Sequence, residues 1–317
     1  MFITREQAYL LVDFRYFESA SKAVSNLKII ELSNRKEQLS ALCKKHNINN
    51  VAVEGKQITL HAFEDYQKLL SPVSLDTSWN LSSAIEKMRM IKTDIEVACI
   101  KKAQTITDNA FSEIQNHIKI GVTEHKIALE LEFIMKSMGA DRLAFETISV
   151  SGQNSSLPHG KFSDKKLAKG DFLTLDFGAN VDGWCSDMTR TVAIGAVSEE
   201  QTHVYNTVLA AQLMALDKIK PEIKCCEIDK VARDYIYQNG FEGCFGHGLG
   251  HGVGLDIHEA PYFNKICDDK LQSGMIITVE PGIYLKNKFG VRIEDMILVT
   301  DSGYENLTKS SKQLIVL

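Results

Sequence analysis

The sequence predicts an α+β fold, with a small α/β region over residues 1–85 ahead of a larger region over residues 86–317. Three observations predict it. Residues 1–85 interleave short β-branched runs with helical stretches. Residues 93–138 carry two apolar-striped segments, each closed by a glycine. The remainder alternates strands with two further helices, so a helix pair precedes β segments twice, a faint mark of internal duplication.

In chain order, Tyr9–Val12, Ile29–Leu32, Val51–Val53 and Ile58–Leu60 read as strands, and Glu18–Ser25 and Arg35–His46 as helices. Ser71-Pro72-Val73 and the polar run Asp76–Asn80 mark a boundary. From Thr93 to Lys119 one stripe gathers Cys99, Ala103, Ile106, Ala110, Ile114 and Ile118, so this is a helix, with Thr93 and Glu96 spaced as a capping box. A second helix opens at Thr123 and closes at Gly139. Strand signals follow at Thr147–Val150 and over Asp171–Thr191. Helices return at Ser198–Lys220 and Glu227–Asn239, and Met275–Glu280 and Val291–Val299 alternate as strands.

At 44% hydrophobic and 24% charged residues the composition is that of an ordinary soluble globular protein, and 317 residues suffice for a sizeable core. A net charge of -5 without a basic cluster argues against nucleic-acid binding. The N-terminus is broken by Arg5 and Glu6 before an apolar stretch could form a signal peptide, and no run approaches a membrane span, so a cytoplasmic location is expected. Seven cysteines without a C-x-x-C pair read as reduced packing residues, Cys185 among them.

The chemistry concentrates in β-patterned segments that carry acids where apolar residues belong. In Asp171–Thr191, Leu173, Leu175 and Phe177 alternate with Thr174 and Asp176, and Asp182-Gly183 signals a tight turn. With the turn centred there, even residues on the first strand face odd ones on the second, so Asp176 and Asp187 share a face. Diagonal neighbours lie about 7–8 Å apart, room for one or two metal ions. Alone, the pair is equally compatible with a solvated hairpin. A buried unpaired carboxylate, however, costs several kcal/mol unless a cation or proton neutralises it.

Further acids shift the balance. Every second residue from Gly246 to Gly254 is glycine, interleaved with His247, Leu249, His251 and Val253. That pattern excludes a helical His pair and fits an extended segment approached closely by other backbone. His258 follows. Ile276, Thr278 and Glu280 share one strand face; Arg292 and Glu294 share one face of Val291–Val299, with Val291, Ile293 and Asp295 opposite. Oxygen ligands with an imidazole suit Mn²⁺, Co²⁺, Fe²⁺ or Zn²⁺. Two such ions would balance four carboxylates and lower the pKa of a water between them.

The contexts LDFG, SDMTRT, GHGLGHGVGLDIHEAP, VEPGIY and GVRIED resemble the pita-bread metallopeptidases, and LPHG at Leu157–Gly160 resembles their Xaa-Pro aminopeptidase and prolidase branch. The likeness covers residues 85–317 and, more loosely, a creatinase-type N-terminal domain over 1–85. It implies a pita-bread catalytic domain of two pseudo-symmetric halves and a homodimer. The substrates implied are peptides with proline in second position. It implies two divalent ions, Mn²⁺ foremost, bridged by Asp187 and Glu294, with His251 and Glu280 completing one site and Asp176 the other. His159, His247 and His258 match cleft positions that assist proton transfer, Arg292 a supporting position, and Glu280 the proton acceptor. In the family the stretch FITREQAYLLVDFRYFESA follows a further strand and helix, so the N-terminal domain reads as shortened at its front.

The same ligands also fit a methionine aminopeptidase, against which the N-terminal region and LPHG stand. A non-catalytic binding protein on this fold, or a metal-free creatinase-like hydrolase, would be expected to lack some of the five ligands.

Overall fold

The computed structural model describes residues 1–317 and divides into two units, Met1–Ile85 and Glu86–Leu317. In the first, Ala8–Val12 is the middle strand of three, antiparallel to Phe2–Ile3 and parallel to Lys28–Glu31. Helix Phe14–Ala23, capped by Asp13, makes the crossover that parallel pairing requires. A second parallel pair, Asn50–Ala52 with Ser74–Asp76, is joined by helix Leu60–Leu70. Its core gathers Phe2, Tyr9, Leu42, Cys43 and Leu70.

Two sequence expectations are corrected in this unit. Ile58–Leu60 is not a strand, because the Thr59 hydroxyl accepts from the Ala62 amide and starts the helix there. The stretch taken as a boundary contains the strand Ser74–Asp76, and helix Asn80–Met90 begins at its end.

In the second unit, Thr93 and Glu96 form the expected capping box of helix Asp94–Ile114, which ends before the expected Lys119. Thr123 caps Glu124–Ser137. These helices pack on a three-stranded antiparallel sheet of Ile148–Ser151, Phe172–Phe177 and Met188–Ala193, with Ala103, Phe111, Ile127, Leu131, Leu175 and Phe177 in their core. The plan then repeats. Helices Glu199–Asp217 and Cys225–Gln238 cover a five-stranded sheet ordered Glu259–Phe263, Gly250–Gly252, Ile276–Val279, Asp295–Val299 and Tyr304–Asn306.

The hairpin parity holds. Asp176 stands opposite Thr189, Val181 opposite Trp184, and the turn Asp182-Gly183 has φ of +52° and +88°. Pairing is interrupted between these two ladders. A side chain on Gly178 would lie 1.9 Å from the Ser186 carbonyl, so only glycine lets the strands approach there. Asp187 sits in this interruption.

Val291–Val299 is not one strand. Phe289–Arg292 pairs with Gly282–Leu285, whereas Asp295–Val299 belongs to the five-stranded sheet. The chain changes sheets at Ile293-Glu294, where the Glu294 amide donates to the Thr189 carbonyl. The seven cysteines are unpaired, and no helix is long and apolar enough to cross a membrane.

Candidate active site

The glycine-rich segment shows why its alternation is needed. A Cβ at Gly250 would lie 2.1 Å from the Thr278 carbonyl and one at Gly252 2.3 Å from that of Ala260. The glycines therefore face adjoining strands at close quarters, and His251, between them, takes the opposite direction. It enters a cleft of about 320 Å³ lined by Asp176, Asp187, Glu280, Glu294, His159, His247, His251, His258 and Arg292. All nine residues singled out from the sequence meet there. Phe145, Ile148, Pro158 and Ile257 give the cleft an apolar wall.

At its floor, donor atoms of Asp187, His251 and Glu294 all lie within 4.8 Å of one another. His251 Nε2 is 3.6 Å from Asp187 Oδ2 and 3.3 Å from Glu280 Oε1, while its Nδ1 stands 3.0 Å from the Gly252 carbonyl. A carbonyl only accepts, so Nδ1 carries a proton; Nε2 faces the acids, where Glu280 raises the ring's pKa against its burial, so that a proton sits there without an ion and a bound cation would take its place.

Arg292 is the buried counter-charge. Its Nη2 pairs with Asp176 Oδ2, its Nε donates to Thr189 Oγ1, and its Nη1 donates to Tyr284 Oη at 2.8 Å and to the Pro158 carbonyl at 3.3 Å. Thr189 passes the chain on, donating to Glu294 Oε2 at 2.7 Å. The Tyr284 hydroxyl also stands 2.9 Å from His247 Nε2, and His247 Nδ1 is 2.8 Å from the Gly248 carbonyl. That carbonyl again fixes the proton on Nδ1. Burial holds the His247 pKa below its ordinary value, so the neutral ring accepts from Tyr284. Both its nitrogens are thereby engaged.

The charge balance points to cations. Burial, then the neighbouring Glu294, Asp176 and Glu280, pushes the Asp187 carboxyl well above the carboxylate range. Burial with Glu280 and Asp176 does the same to Glu294. Burial also raises Asp176, with Arg292 opposing. Glu280 alone goes down, to about 2, because the hydrogen bond and charge of His251, with the Arg292 guanidinium, outweigh its burial. Asp176 Oδ1 and Glu294 Oε1 are buried without a hydrogen-bond partner. Four acids against one guanidinium, with orphaned oxygens and an imidazole nitrogen aimed among them, fit divalent cations.

Two residues of this network, Tyr284 and Thr189, carry no signal of their own in the sequence that marks them as functional. Tyr284 lies in VEPGIY, but a tyrosine there looks like an ordinary strand residue. Thr189 could have been found as the residue directly opposite Asp176. Asp295, expected on the other face from Glu294, does lie there, in a buried cluster with Arg190, Lys312 and Asn306.

Residues 98–301 match metallopeptidase family M24 and residues 1–91 the creatinase/prolidase N-terminal domain. Among solved structures, an Xaa-Pro dipeptidase from Bacillus anthracis superposes with a TM-score of 0.96 at 41% identity, covering 99% of this chain and 88% of that one. An X-Pro aminopeptidase from Thermotoga maritima MSB8 gives 0.93 at 36% identity, covering 99% and 89%. An Xaa-Pro dipeptidase of Pyrococcus horikoshii is 37% identical over 313 residues, 99% of this chain and 87% of its own length. The pita-bread architecture expected from the motifs is thus the one observed. The chain belongs to metallopeptidase family M24, with a creatinase/prolidase domain at its N-terminal end.

Proposed function

We propose that this metallopeptidase is a dinuclear exopeptidase that hydrolyses the bond between an N-terminal residue and a following proline. The observation that carries the metal half of this reading is the convergence of Asp187, His251 and Glu294 beside the unpartnered oxygens of Asp176 and Glu294. The names of the relatives support the substrate half. Asp176, Asp187, His251, Glu280 and Glu294 would hold two divalent ions, Asp187 and Glu294 shared between them, with Mn²⁺ first and Co²⁺, Zn²⁺ or Fe²⁺ also suited. Bound ions would activate a water at neutral pH and polarise the scissile carbonyl.

The remaining work falls to the chain. Glu280, ionised and buried, accepts the water's proton. Arg292 holds Asp176 and, through Thr189, Glu294 in place. A bond before proline has no N–H to donate, so the ring must be recognised by shape, for which Phe145, Ile148 and Ile257 offer an apolar wall. His159 and His258 face the cleft, where they can deliver a proton to the departing nitrogen, and His247, accepting from the Tyr284 hydroxyl, holds that hydroxyl against Arg292.

The test is release of the first residue from Xaa-Pro, Xaa-Pro-Yaa and Met-Ala-Yaa peptides by stripped protein supplied with Mn²⁺, Co²⁺ or Zn²⁺. Cleavage confined to the proline peptides is expected. Preference for the methionyl peptide would establish the methionine aminopeptidase reading instead.

A further inference from the structure

Glu124, the first residue of helix Glu124–Ser137, is 0% exposed, yet no lysine or arginine pairs with its carboxylate. Its Oε1 accepts from the Ser151 amide at 2.6 Å, the Ser151 hydroxyl at 2.8 Å and Asn154 Nδ2 at 3.1 Å. Its Oε2 accepts from Asn154 Nδ2 at 3.2 Å, the Ser163 amide at 3.1 Å and the Ser163 hydroxyl at 2.7 Å. An ionised carboxylate offers about four lone-pair sites, so this side chain is saturated.

The donors are the two ends and the first turn of one loop. Between Ser151 and Ser163 the chain makes a short 3₁₀ turn, Gly152–Ser156, then Pro158, His159 and Gly160, with no strand pairing. Its internal backbone bonds are local, Leu157 to Asn154 and Gly160 to Leu157. On the cleft side the Pro158 carbonyl accepts from Arg292 Nη1 and the Ser155 hydroxyl from the Gly290 amide. Loops without ladder bonds open at low free energy unless tied. Here Ser151 is paired with Leu173 and the Ser163 carbonyl accepts from the His125 amide, and one carboxylate joins these two ends to each other and to Asn154 in the first turn.

We propose that Glu124 is a positioning residue: by clasping Ser151, Asn154 and Ser163 it holds the loop that presents His159 to the substrate cleft. This rests on the reading of that cleft as a peptidase site. Glu124 touches no reacting atom and acts through His159, so its loss should resemble a misplaced active-site group and leave the metal ligands alone.

The experiment is a double-mutant cycle on the Mn²⁺-loaded protein, joining Glu124→Gln with His159→Ala and read as kcat and KM on Ala-Pro-Ala. Hydrogen exchange of the 152–163 amides is followed in the same proteins. Glu124→Gln should retain bound Mn²⁺, lower kcat by about 10- to 100-fold and speed exchange in the loop. In the His159→Ala background the same change should cost less than about 2-fold. An equal loss in both backgrounds, unchanged kcat, or loss of Mn²⁺ would overturn the proposal. Should Glu124→Gln not fold, Ser163→Ala, which removes one hydroxyl donor, enters the same cycle with the same criteria. If wild-type protein cleaves no proline peptide, the function reading fails, and the exchange arm still decides: unchanged protection of 152–163 means that Glu124 does not hold the loop.

Discussion

Replacing Asp187 by asparagine should stabilise the metal-free protein and destabilise the metal-loaded one. Asp187 is 4% exposed, and burial with Glu294, Asp176 and Glu280 raises its pKa far above its unfolded value. An acid whose folded pKa is raised binds more protons folded than unfolded, so stability falls as pH rises from the unfolded pKa towards the folded one. The penalty at pH 7 has a ceiling, because the group protonates rather than endure more. Three pH units above an unfolded pKa of about 3.9, at 1.36 kcal/mol per unit, set that ceiling at about 4 kcal/mol. His251, 3.6 Å away, offsets part of it, so a gain of about 2 kcal/mol is expected, or about 4–8 °C in Tm for a domain of this size.

The assay is thermal unfolding in EDTA between pH 5 and pH 8, repeated with Mn²⁺. Wild type in EDTA should lose stability across that range more steeply than Asp187→Asn, and Mn²⁺ should reverse the ranking. If Asp187→Asn melted lower than wild type in EDTA at every pH, repulsion among these acids would not be a feature of the empty site and the argument for cations would lose its basis.

Asp187→Asn and Glu294→Gln should each abolish metal binding at one or both sites, whereas His247→Ala, which frees Tyr284 from one partner, should retain the metal and lower turnover by about 10- to 100-fold, as elemental analysis with kinetics would show. Arg292→Lys removes the forked contact to Asp176, Tyr284 and Thr189, and kcat should drop by about 10²-fold with unfolding temperature little changed. Burial opposes ionisation of Asp295, but Arg190 and Lys312 prevail and lower its pKa. Its contribution is therefore present above about pH 4 and lost as pH falls through the folded value, and Asp295→Ala, which strands the buried Arg190, should cost about 3–5 kcal/mol in urea unfolding at pH 7. Gly250→Ala forces a methyl onto the Thr278 carbonyl and should give insoluble or metal-free protein on expression.

Where local chemistry decided the structure, the sequence was readable. Thr93, Thr123 and Ser198 cap their helices because their hydroxyls satisfy amides within the same turn, and Asp182-Gly183 sets the register that aligns Asp176 with Thr189. The ligand-type residues stood out because acids in an apolar strand need an explanation. Illegible were features that depend on distant partners. Nothing between Val291 and Val299 shows that the strand breaks at Glu294, since the cause is a bond to Thr189, over a hundred residues earlier. Tyr284 is marked only by the Arg292 and His247 it joins. Helix Leu60–Leu70 was masked by Ile58 and Leu60, whose β-like pattern the Thr59 cap overrides.

Asp187 and Glu294 both stand where strand pairing is interrupted, and bonds from distant parts of the chain take the place of ladder bonds at Glu294, whose amide donates to the Thr189 carbonyl and whose carbonyl accepts from Arg190. The side chains gathered there, four carboxylates and an imidazole, are ligands that every first-row dication accepts. Selectivity among those ions will then come from intrinsic affinity and supply, and competition in vitro should follow the Irving–Williams order, with Zn²⁺ displacing Mn²⁺ even where Mn²⁺ supports the faster turnover.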